Sequence, residues 1–269
     1  MHIETDGLVI KEQNVGESDR LITVLTGQYG LIRAFVSGGK TIKNRNLAGT
    51  QLLAYSDFMF YKGRDSYNVN HAAEREVFFD LRSNIENLSL AFYLAELFGE
   101  LAPESAQCDE LLKLLLNSIY LLSKEKCDPR IVKSVAELRG LSISGYMPSL
   151  VACRECGEFE SDLFYFSIRN GDICCRACMG DRAGHSDGSG ASVPQSSKEF
   201  SAYGFDASQY PLSYSAVTAM RHIIYSEPKK VFDFTLAPNA LSELSTVTES
   251  FALFQTGRNY NTLDFYKSL

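Results

Sequence analysis

Long apolar runs are missing from this sequence, and so is an excess of positive charge. The longest apolar stretches fall far short of the ~18 residues that a membrane-spanning helix needs, so we predict no membrane segment. The first residues, MHIETDGLVI, lack the basic start and sustained apolar core of a secretory signal. A cytoplasmic location is therefore expected. The formal net charge of −7 argues against a protein coated in positive potential.

Complete catalytic signatures are also lacking. The segment SGGKT at 37–41 resembles the end of a phosphate-binding loop, but that pattern needs a glycine where this chain has Ala34, and no apolar helix follows. The segment HIE at 2–4 matches only half of a zinc-deaminase signature, and neither cysteine pair follows a proline. The four histidines lie in no recognisable catalytic setting. The residues alone therefore support no nucleotide site and no deaminase, and a histidine acting as a catalytic base stays open.

Charge is distributed unevenly along the chain. Residues 33–64 contain six cations against a single acid, Asp57, which gives 6 − 1 = +5. A local basic face can bind a polyanion even when the whole chain is acidic, although a merely solvated surface would show the same composition. The six candidate DNA-binding residues are Arg33, Lys40, Lys43, Arg45, Lys62 and Arg64.

The first 79 residues are predicted to form a small antiparallel barrel. Short segments rich in Val, Ile, Leu and Thr alternate with turns, and no long helix intervenes. The five-stranded OB barrel, a recurrent nucleic-acid-binding fold, matches this number of strands. The predicted strands cover 7–13, 19–26, 30–38, 52–61 and 66–78.

Helices are predicted to follow, because apolar residues recur at helical intervals after Phe79. The predicted helices cover 80–102, 111–122, 129–144, 213–226 and 238–256, with a short amphipathic stretch at 261–269. The Gly/Ser-rich segment 180–197 is predicted to be a flexible loop. The expected fold class is a multidomain α+β protein, divided into a barrel at 1–79, the first part of a helical domain at 80–149, a zinc finger at 150–182, and a segment at 183–269 that completes the helical domain.

Two Cys-x-x-Cys pairs predict a metal site. Cys153 and Cys156 form the first pair, and Cys175 and Cys178 form the second after the intervening residues 157–174. This spacing is typical of a four-cysteine zinc site. Four thiolates leave no open coordination position, so the zinc would be structural rather than catalytic. The segment between the pairs resembles a β-hairpin that returns the chain to the metal.

The other cysteines and one histidine are secondary candidates. Cys174 would give a less common Cys-x-x-x-Cys spacing, so Cys175 is the better ligand, and Cys174 is expected to point away or to act as a close substitute. His185 is a weaker alternative ligand. Cys108 and Cys127 lie in helical contexts and are most simply core residues.

The loop GGKTIKNRN at 38–46 is the strongest candidate for DNA contact. Its glycines allow close approach to a phosphate backbone, which Lys40, Lys43 and Arg45 would follow. Barrel aromatics could stack on bases, but about half of them must fill the barrel because neighbours in a strand alternate faces. These aromatics are Phe58, Phe60, Tyr61 and Tyr67.

Ordered along the chain, these motifs resemble the RecO family of bacterial recombination-mediator proteins. The resemblance begins with GLVIKEQNVGESDRLITVLTGQYGLIRAFVSGGK and continues through FYLAELFGELAPE. It then includes ELRGLSISGYMPSLVACRECG, FSIRNGDICCRAC and the final LDFYKSL. The order of these segments, with Gly-Tyr-x-Pro placed directly before the first cysteine pair, makes the resemblance specific.

The resemblance implies a non-catalytic protein that binds single- and double-stranded DNA and anneals complementary strands. Family members act with RecR to load RecA on DNA coated by single-strand-binding protein (SSB), whose acidic tail they recognise. The resemblance thus implies association with the nucleoid, a place in the RecFOR pathway, and metal ligation by the four paired cysteines. Cations before the finger are candidates for binding the SSB tail: Arg130, Lys133 and Arg139. A solvated helix face is the alternative role for these three.

Two other functional hypotheses stay open at this level. One is a zinc-containing protein-interaction adaptor whose barrel never meets DNA. The other is a zinc-dependent enzyme acting on nucleic acid or nucleotide, which closed ligation by four thiolates disfavours.

Overall fold

A computed structural model describes residues 2–64, 66–184 and 209–269, with backbone only at 181–184. The chain divides into two compact units. The first, here the barrel unit, comprises Met1–Val132 and Asn259–Leu269, and the second, the finger unit, comprises Lys133–Arg258. No helix in the described ranges is long and apolar enough to cross a membrane.

The barrel unit begins with five strands that close into a barrel in the order β1-β2-β3-β5-β4. β4 pairs back onto β1, and β3 pairs with β5 in parallel, so all five strands have two neighbours. The strands are β1 (His2–Val15), β2 (Asp19–Thr26), β3 (Gly30–Val36), β4 (Ala54–Lys62) and β5 (Tyr67–Val77). The predicted five-stranded barrel is confirmed, although β1 begins five residues earlier than the sequence pattern indicated.

Alternation along the strands builds the barrel core. Ile22 and Val24 of β2 and Ile32 and Ala34 of β3 point inward, while the residues between them point outward. Phe58 and Phe60 also point inward, with ring centroids 5.1 Å apart. Their burial contradicts a role for these two rings in stacking on bases.

The helices follow the barrel. They are α1 (Ile85–Leu101), α2 (Asp109–Ser123), α3 (Pro129–Leu141), α4 (Arg176–Gly184), α5 (Tyr214–Tyr225), α6 (Pro238–Thr256) and α7 (Asn261–Ser268). Asn84 caps α1 by accepting from the backbone of Asn87, and Ser213 caps α5 by accepting from the backbone of Ala216. α7 returns to the barrel unit, where Tyr260 packs against Tyr93 with ring centroids 5.5 Å apart.

The finger unit contains a small antiparallel sheet in the order β7-β6-β8, formed by β6 (Leu163–Ser167), β7 (Asp172–Cys175) and β8 (Gln209–Ser213). β6 and β7 form the hairpin predicted between the cysteine pairs. Phe166 of β6 packs edge-on against Phe251 of α6, with centroids 5.3 Å apart, which joins sheet and helix.

The first five residues of the predicted loop at 180–197 are not a loop. α4 continues through Gly184, so residues 180–184 are helical. The rest of that predicted loop, with the alternative ligand His185, lies outside the described residues. The fold class itself is confirmed: a mixed α+β chain with an N-terminal barrel, helices and a four-cysteine cluster.

Candidate nucleic-acid interface and metal centre

The structure brings together the thiols of the two cysteine pairs. The Sγ atoms of Cys153, Cys156, Cys175 and Cys178 all lie within 4.8 Å of one another. Zinc–sulfur bonds of about 2.3 Å in a tetrahedron place sulfurs about 3.8 Å apart. The Cys156 and Cys175 sulfurs are 3.7 Å apart, so the cluster has the size of a tetrahedral thiolate site.

Local backbone geometry forms each half of the cluster. Gly157 donates to the carbonyl of Cys153 at 2.9 Å and adopts a φ of +77°, which closes the turn after the first pair. The second pair follows from β7 into the first turn of α4. The hairpin thus carries the second pair back to the first.

The thiols of the cluster differ in acidity. Burial opposes ionisation of Cys153, but backbone N–H groups of Cys156, Cys175 and Glu155 outweigh it and lower the pKa of Cys153 to about 6. The neighbouring sulfurs of Cys156 and Cys175 raise the pKa of Cys178. Four sulfurs this close cannot all ionise without a cation, whereas a bound divalent metal ion would favour four thiolates.

Cys174 lies on the other face of the hairpin. In the register of β6 and β7, Tyr165 pairs with Cys174 and Phe164 with Cys175, and adjacent residues of a strand point to opposite faces. Cys174 is 1% exposed and lies outside the four-thiol group. Cys174 is therefore a buried packing residue on the face of the hairpin opposite Cys175.

Arg221 holds the finger loop and was missed by sequence reasoning. Its guanidinium donates to the carbonyls of Leu150 (2.7 Å), Val151 (3.2 Å) and Phe159 (3.0 Å). It also lies 4.2 Å from the centroid of the Phe159 ring. No local motif marks an arginine that lies more than sixty positions away in sequence, so only the fold identifies this contact.

A row of polar and basic side chains crosses the outer face of the barrel. Lys11 pairs with Thr23 across β1 and β2, and Thr23 pairs with Arg33 across β2 and β3. Because the neighbours of Thr23 and Arg33 in their strands point into the core, this row points outward. Lys11 and Arg33 are exposed, and Lys11 was not among the predicted residues.

A second outer row lies beside the first. It comprises Gln13, Leu21, Phe35 and Asn68 on four adjacent strands. Phe35 is half-buried, so part of its ring is open to a ligand. Further along β1 and β2, Leu8 and Leu25 are fully buried where α1 and α2 pack over the strands. These two outer rows, of which the first carries Lys11 and Arg33, are therefore the part of this face that α1 and α2 leave uncovered.

The six predicted cations all lie in the barrel unit. Arg33 is 3.7 Å from Glu104, but both side chains are largely exposed, so this pair contributes little. Lys62 lies over the Tyr67 ring at 5.5 Å. Tyr67 pairs with Ala34, so the turn that carries Arg64 ends beside β3. Lys43 and Arg64 are exposed, and neither has an ion pair or hydrogen bond to the residues that the structure describes.

The loop at 38–46 is fixed at both ends. The Lys40 amide donates to the Ser18 carbonyl at 3.0 Å, and the Lys40 ammonium donates to the Gly16 carbonyl at 2.8 Å. At the other end, Arg45 donates to the Asn70 carbonyl at 3.0 Å. The loop thus spans from the β1–β2 turn to β5 and borders the outer rows.

Asp19 gives this loop a pH dependence. Its carboxylate accepts from the Gly38 amide at 2.8 Å, and that bond, followed by one from Ser18, lowers the pKa of Asp19. A lowered folded-state pKa means that the stabilisation is fully present above the unfolded value of about 3.9 and is lost as the pH falls below it. We expect the Gly38 amide to exchange faster with solvent as the pH falls below about 4, after correction for intrinsic exchange. An Asp19→Asn variant should show no such pH-dependent step, and a step of equal size in that variant would assign it to another group.

Comparison with known proteins identifies the family. Residues 1–77 match the family described as recombination protein O N terminal, and residues 82–201 match recombination protein O C terminal. DNA repair protein RecO of Acetivibrio thermocellus is 33% identical over 268 residues, which cover 100% of this chain and 97% of that protein. The chain belongs to the RecO family. DNA repair protein RecO of Alkaliphilus metalliredigens is 27% identical over 270 residues and all of both chains, and that of Symbiobacterium thermophilum is 26% identical over 267 residues, 98% of this chain and 96% of that protein.

Membership of the RecO family places this chain in recombinational DNA repair. The resemblance recognised from the sequence is confirmed.

One of the three candidate partner residues is inaccessible in this RecO-family chain. The Lys133 side chain is 2% exposed, and its ammonium lies 2.9 Å from both Glu137 and Glu249. Its burial contradicts both predicted roles, binding the acidic tail of a partner and belonging to a solvated helix face. The fully buried Glu137 and the half-buried Glu249 already neutralise this ammonium, and its exposure would remove their cation.

The other two candidates differ in accessibility. Arg139 is half-buried and donates to the carbonyls of Ile223 and Ile224. Arg130 is exposed and lies 3.0 Å from Asp128, at the start of α3. Of the three, Arg130 is the one whose charge faces solvent.

Proposed function

We propose that this RecO-family chain is a non-enzymatic DNA-binding mediator that anneals complementary single strands and, with RecR, helps to load RecA on SSB-coated DNA. It would act in the cytoplasm, associated with the nucleoid. The family match supports the repair role. The finer steps rest on the barrel surface and on the resemblance.

The uncovered outer face of the barrel is the observation that carries this proposal. Lys11 and Arg33 lie in one outward row, with Phe35 in the next, and the loop with Lys43 borders them. Strands β2 and β3 and the loops beside them are the surface that OB folds use for oligonucleotides. Cations that follow phosphates, beside an aromatic ring that can stack on a base, are the usual components of single-strand binding.

Annealing follows physically from such a surface. Two complementary strands repel each other through their phosphates, and bound cations reduce that repulsion so that bases can pair. Each phosphate contact releases counterions, which makes binding weaken steeply with added salt. No covalent step and no nucleotide hydrolysis are required.

The cysteine cluster is proposed to hold one structural zinc ion through Cys153, Cys156, Cys175 and Cys178. The sulfur spacing fits tetrahedral thiolate ligation, and four protein ligands leave no position for a substrate. The ion would join the two halves of the finger. The chain's own contribution is the hairpin and the Arg221 bonds that orient the loop.

For partners, we propose single- and double-stranded DNA, RecR and the acidic tail of SSB, with a functional link to RecA. Arg130 is the candidate contact for the acidic tail, because its side chain is exposed. Arg139 would need to release two backbone carbonyls to serve in the same way.

Strand annealing across a salt series, with and without SSB, tests the proposed function. We expect faster pairing of complementary strands than in protein-free controls at low salt, and a loss of that acceleration as salt rises. Retained annealing on SSB-coated strands would support the mediator role. A protein that neither binds nor anneals DNA at low salt would favour the alternative, a zinc-containing interaction adaptor without direct DNA binding.

Lys11 provides a single-residue prediction. Lys11→Gln should weaken oligonucleotide binding about three- to tenfold at ~0.1 M salt, because one phosphate contact is lost. Fluorescence anisotropy with labelled oligo(dT) measures this change. Lys113→Gln, which neutralises an exposed lysine on α2, serves as the matched control and should bind like the unmodified protein. Equal effects of both variants would show a response to net charge and not to the outer row.

A further inference from the structure

Ile42 is the most exposed large apolar side chain in the described part of the chain. Its relative exposure is 89%, and the next value is 60%, at Phe79. Single exposed apolar residues are common, so exposure alone means little. The position of Ile42 is what distinguishes it, because it lies within the basic loop, next to Lys43 and two residues after Lys40.

The backbone presents Ile42 on a hydrogen-bonded turn. The Asn44 amide donates to the Thr41 carbonyl at 2.9 Å, which makes Ile42 and Lys43 the two central residues of a β-turn. The Asn44 side chain braces the turn by donating to the Ser37 carbonyl and accepting from the Asn46 amide, both at 2.8 Å. The central positions of β-turns normally hold Gly, Pro, Asn, Asp or Ser, so turn formation does not account for an isoleucine there.

The charges around Ile42 indicate which ligand would cover it. Lys43 shares the tip of the turn, and the ends of the loop are held by Lys40 and Arg45. A polyanion attracted to these cations would bring its backbone against the loop. In DNA, apolar surface suited to an aliphatic side chain lies between neighbouring bases, and several DNA-binding proteins insert such side chains there.

We propose that Ile42 inserts between two adjacent bases of a bound DNA strand and unstacks that step, while Lys43 binds the phosphate beside it. This inference rests on the proposed function, since it assumes that the basic loop meets DNA. The turn is already ordered, so insertion loses little conformational entropy in the protein. Unstacked bases at this point would be presented for pairing with a complementary strand.

The test uses an oligonucleotide of about 15 residues that contains 2-aminopurine between adenines, whose fluorescence rises when the base unstacks. The full-length protein should raise the fluorescence on binding. Ile42→Thr should remove most of that rise and weaken binding by about fivefold or less, because only apolar contact is lost. The slope of log Kobs against log salt should stay unchanged, because no phosphate contact is removed.

Matched variants make each outcome decisive. Ile42→Leu should keep the fluorescence rise, and Ile85→Thr, at an exposed isoleucine of the same unit, should behave like the unmodified protein. Far-ultraviolet circular dichroism checks that all variants are folded. Three results would each contradict the insertion of Ile42 between bases. They are a full fluorescence rise with Ile42→Thr, DNA binding by the unmodified protein without any rise, and an Ile42→Thr defect seen only in binding to a protein partner.

The charged variant Lys43→Glu/Arg64→Glu separates this inference from the proposed function. If that variant binds DNA more weakly while Ile42→Thr keeps the full fluorescence rise, the insertion of Ile42 is wrong and the proposed DNA binding stands. If the unmodified protein fails to bind DNA at low salt, the insertion of Ile42 and the proposed DNA-binding function are both wrong.

Discussion

Reversing the charges of Lys43 and Arg64 together is expected to weaken binding of single-stranded DNA roughly 100-fold at ~0.1 M salt. Both side chains are exposed, and neither has an ion pair or hydrogen bond within the described ranges, so their replacement should leave the fold intact. At this salt concentration, each phosphate contact accounts for about tenfold in affinity through counterion release, and a carboxylate adds repulsion. Anisotropy titration of labelled oligo(dT) measures the loss.

Lys229→Glu/Lys230→Glu is the matched control for this double variant. It changes the net charge equally at two exposed lysines of the finger unit, outside the proposed interface. We expect at most a small decrease in affinity, because these two lysines belong to no proposed phosphate contact. An equal loss in both double variants would mean that overall charge, and not the barrel surface, controls binding.

Replacing Cys175 with serine is expected to abolish stoichiometric metal binding and to destabilise the finger unit. Elemental analysis of the purified protein should fall from about one zinc per chain to near zero, because a hydroxyl is a poor fourth ligand for this ion. Free energy released on metal binding is also folding free energy, so we expect a loss of more than about 3 kcal/mol from the free energy of unfolding. Chelation of zinc from the unmodified protein should lower the midpoint temperature of its thermal unfolding.

Cys174→Ser is the adjacent control. Its side chain lies on the opposite face of β7, so zinc content should be retained even though burial of a hydroxyl costs some stability. Loss of zinc from Cys174→Ser with retention in Cys175→Ser would exchange their roles. A folded Cys175→Ser protein whose metal-free form is as stable as the unmodified one would contradict the structural role of the ion.

Regular elements were predictable where the pattern of the sequence is strong. β2 and α6 have the predicted ends, because turn residues or a proline bound each of them. Extension of β1 to His2 was not predictable, because its first residues mix charged and apolar side chains and are fixed by pairing with β4. α4 was missed because its small, polar residues have no amphipathic period.

The residues of the candidate site were likewise predictable only where a local sequence pattern marks them. The cysteine pairs were predictable because metal ligation requires fixed residue types at short spacing. Lys11 was not, because its position beside Arg33 depends on the register of three strands and on a bulge between Val9 and Lys11. Lys133 was misjudged because its partner Glu249 lies more than a hundred positions further along the chain.

The salt dependence of oligonucleotide binding tests most directly whether the outer barrel surface carries DNA binding. We would compare the unmodified protein with a triple variant, Lys11→Gln/Lys43→Gln/Arg64→Gln, and plot log Kobs for oligo(dT) against log salt. With about 0.7 units of slope per phosphate contact on a single strand, the slope should become shallower by about 2 in the triple variant. An unchanged slope, with binding intact, would place the DNA on another surface.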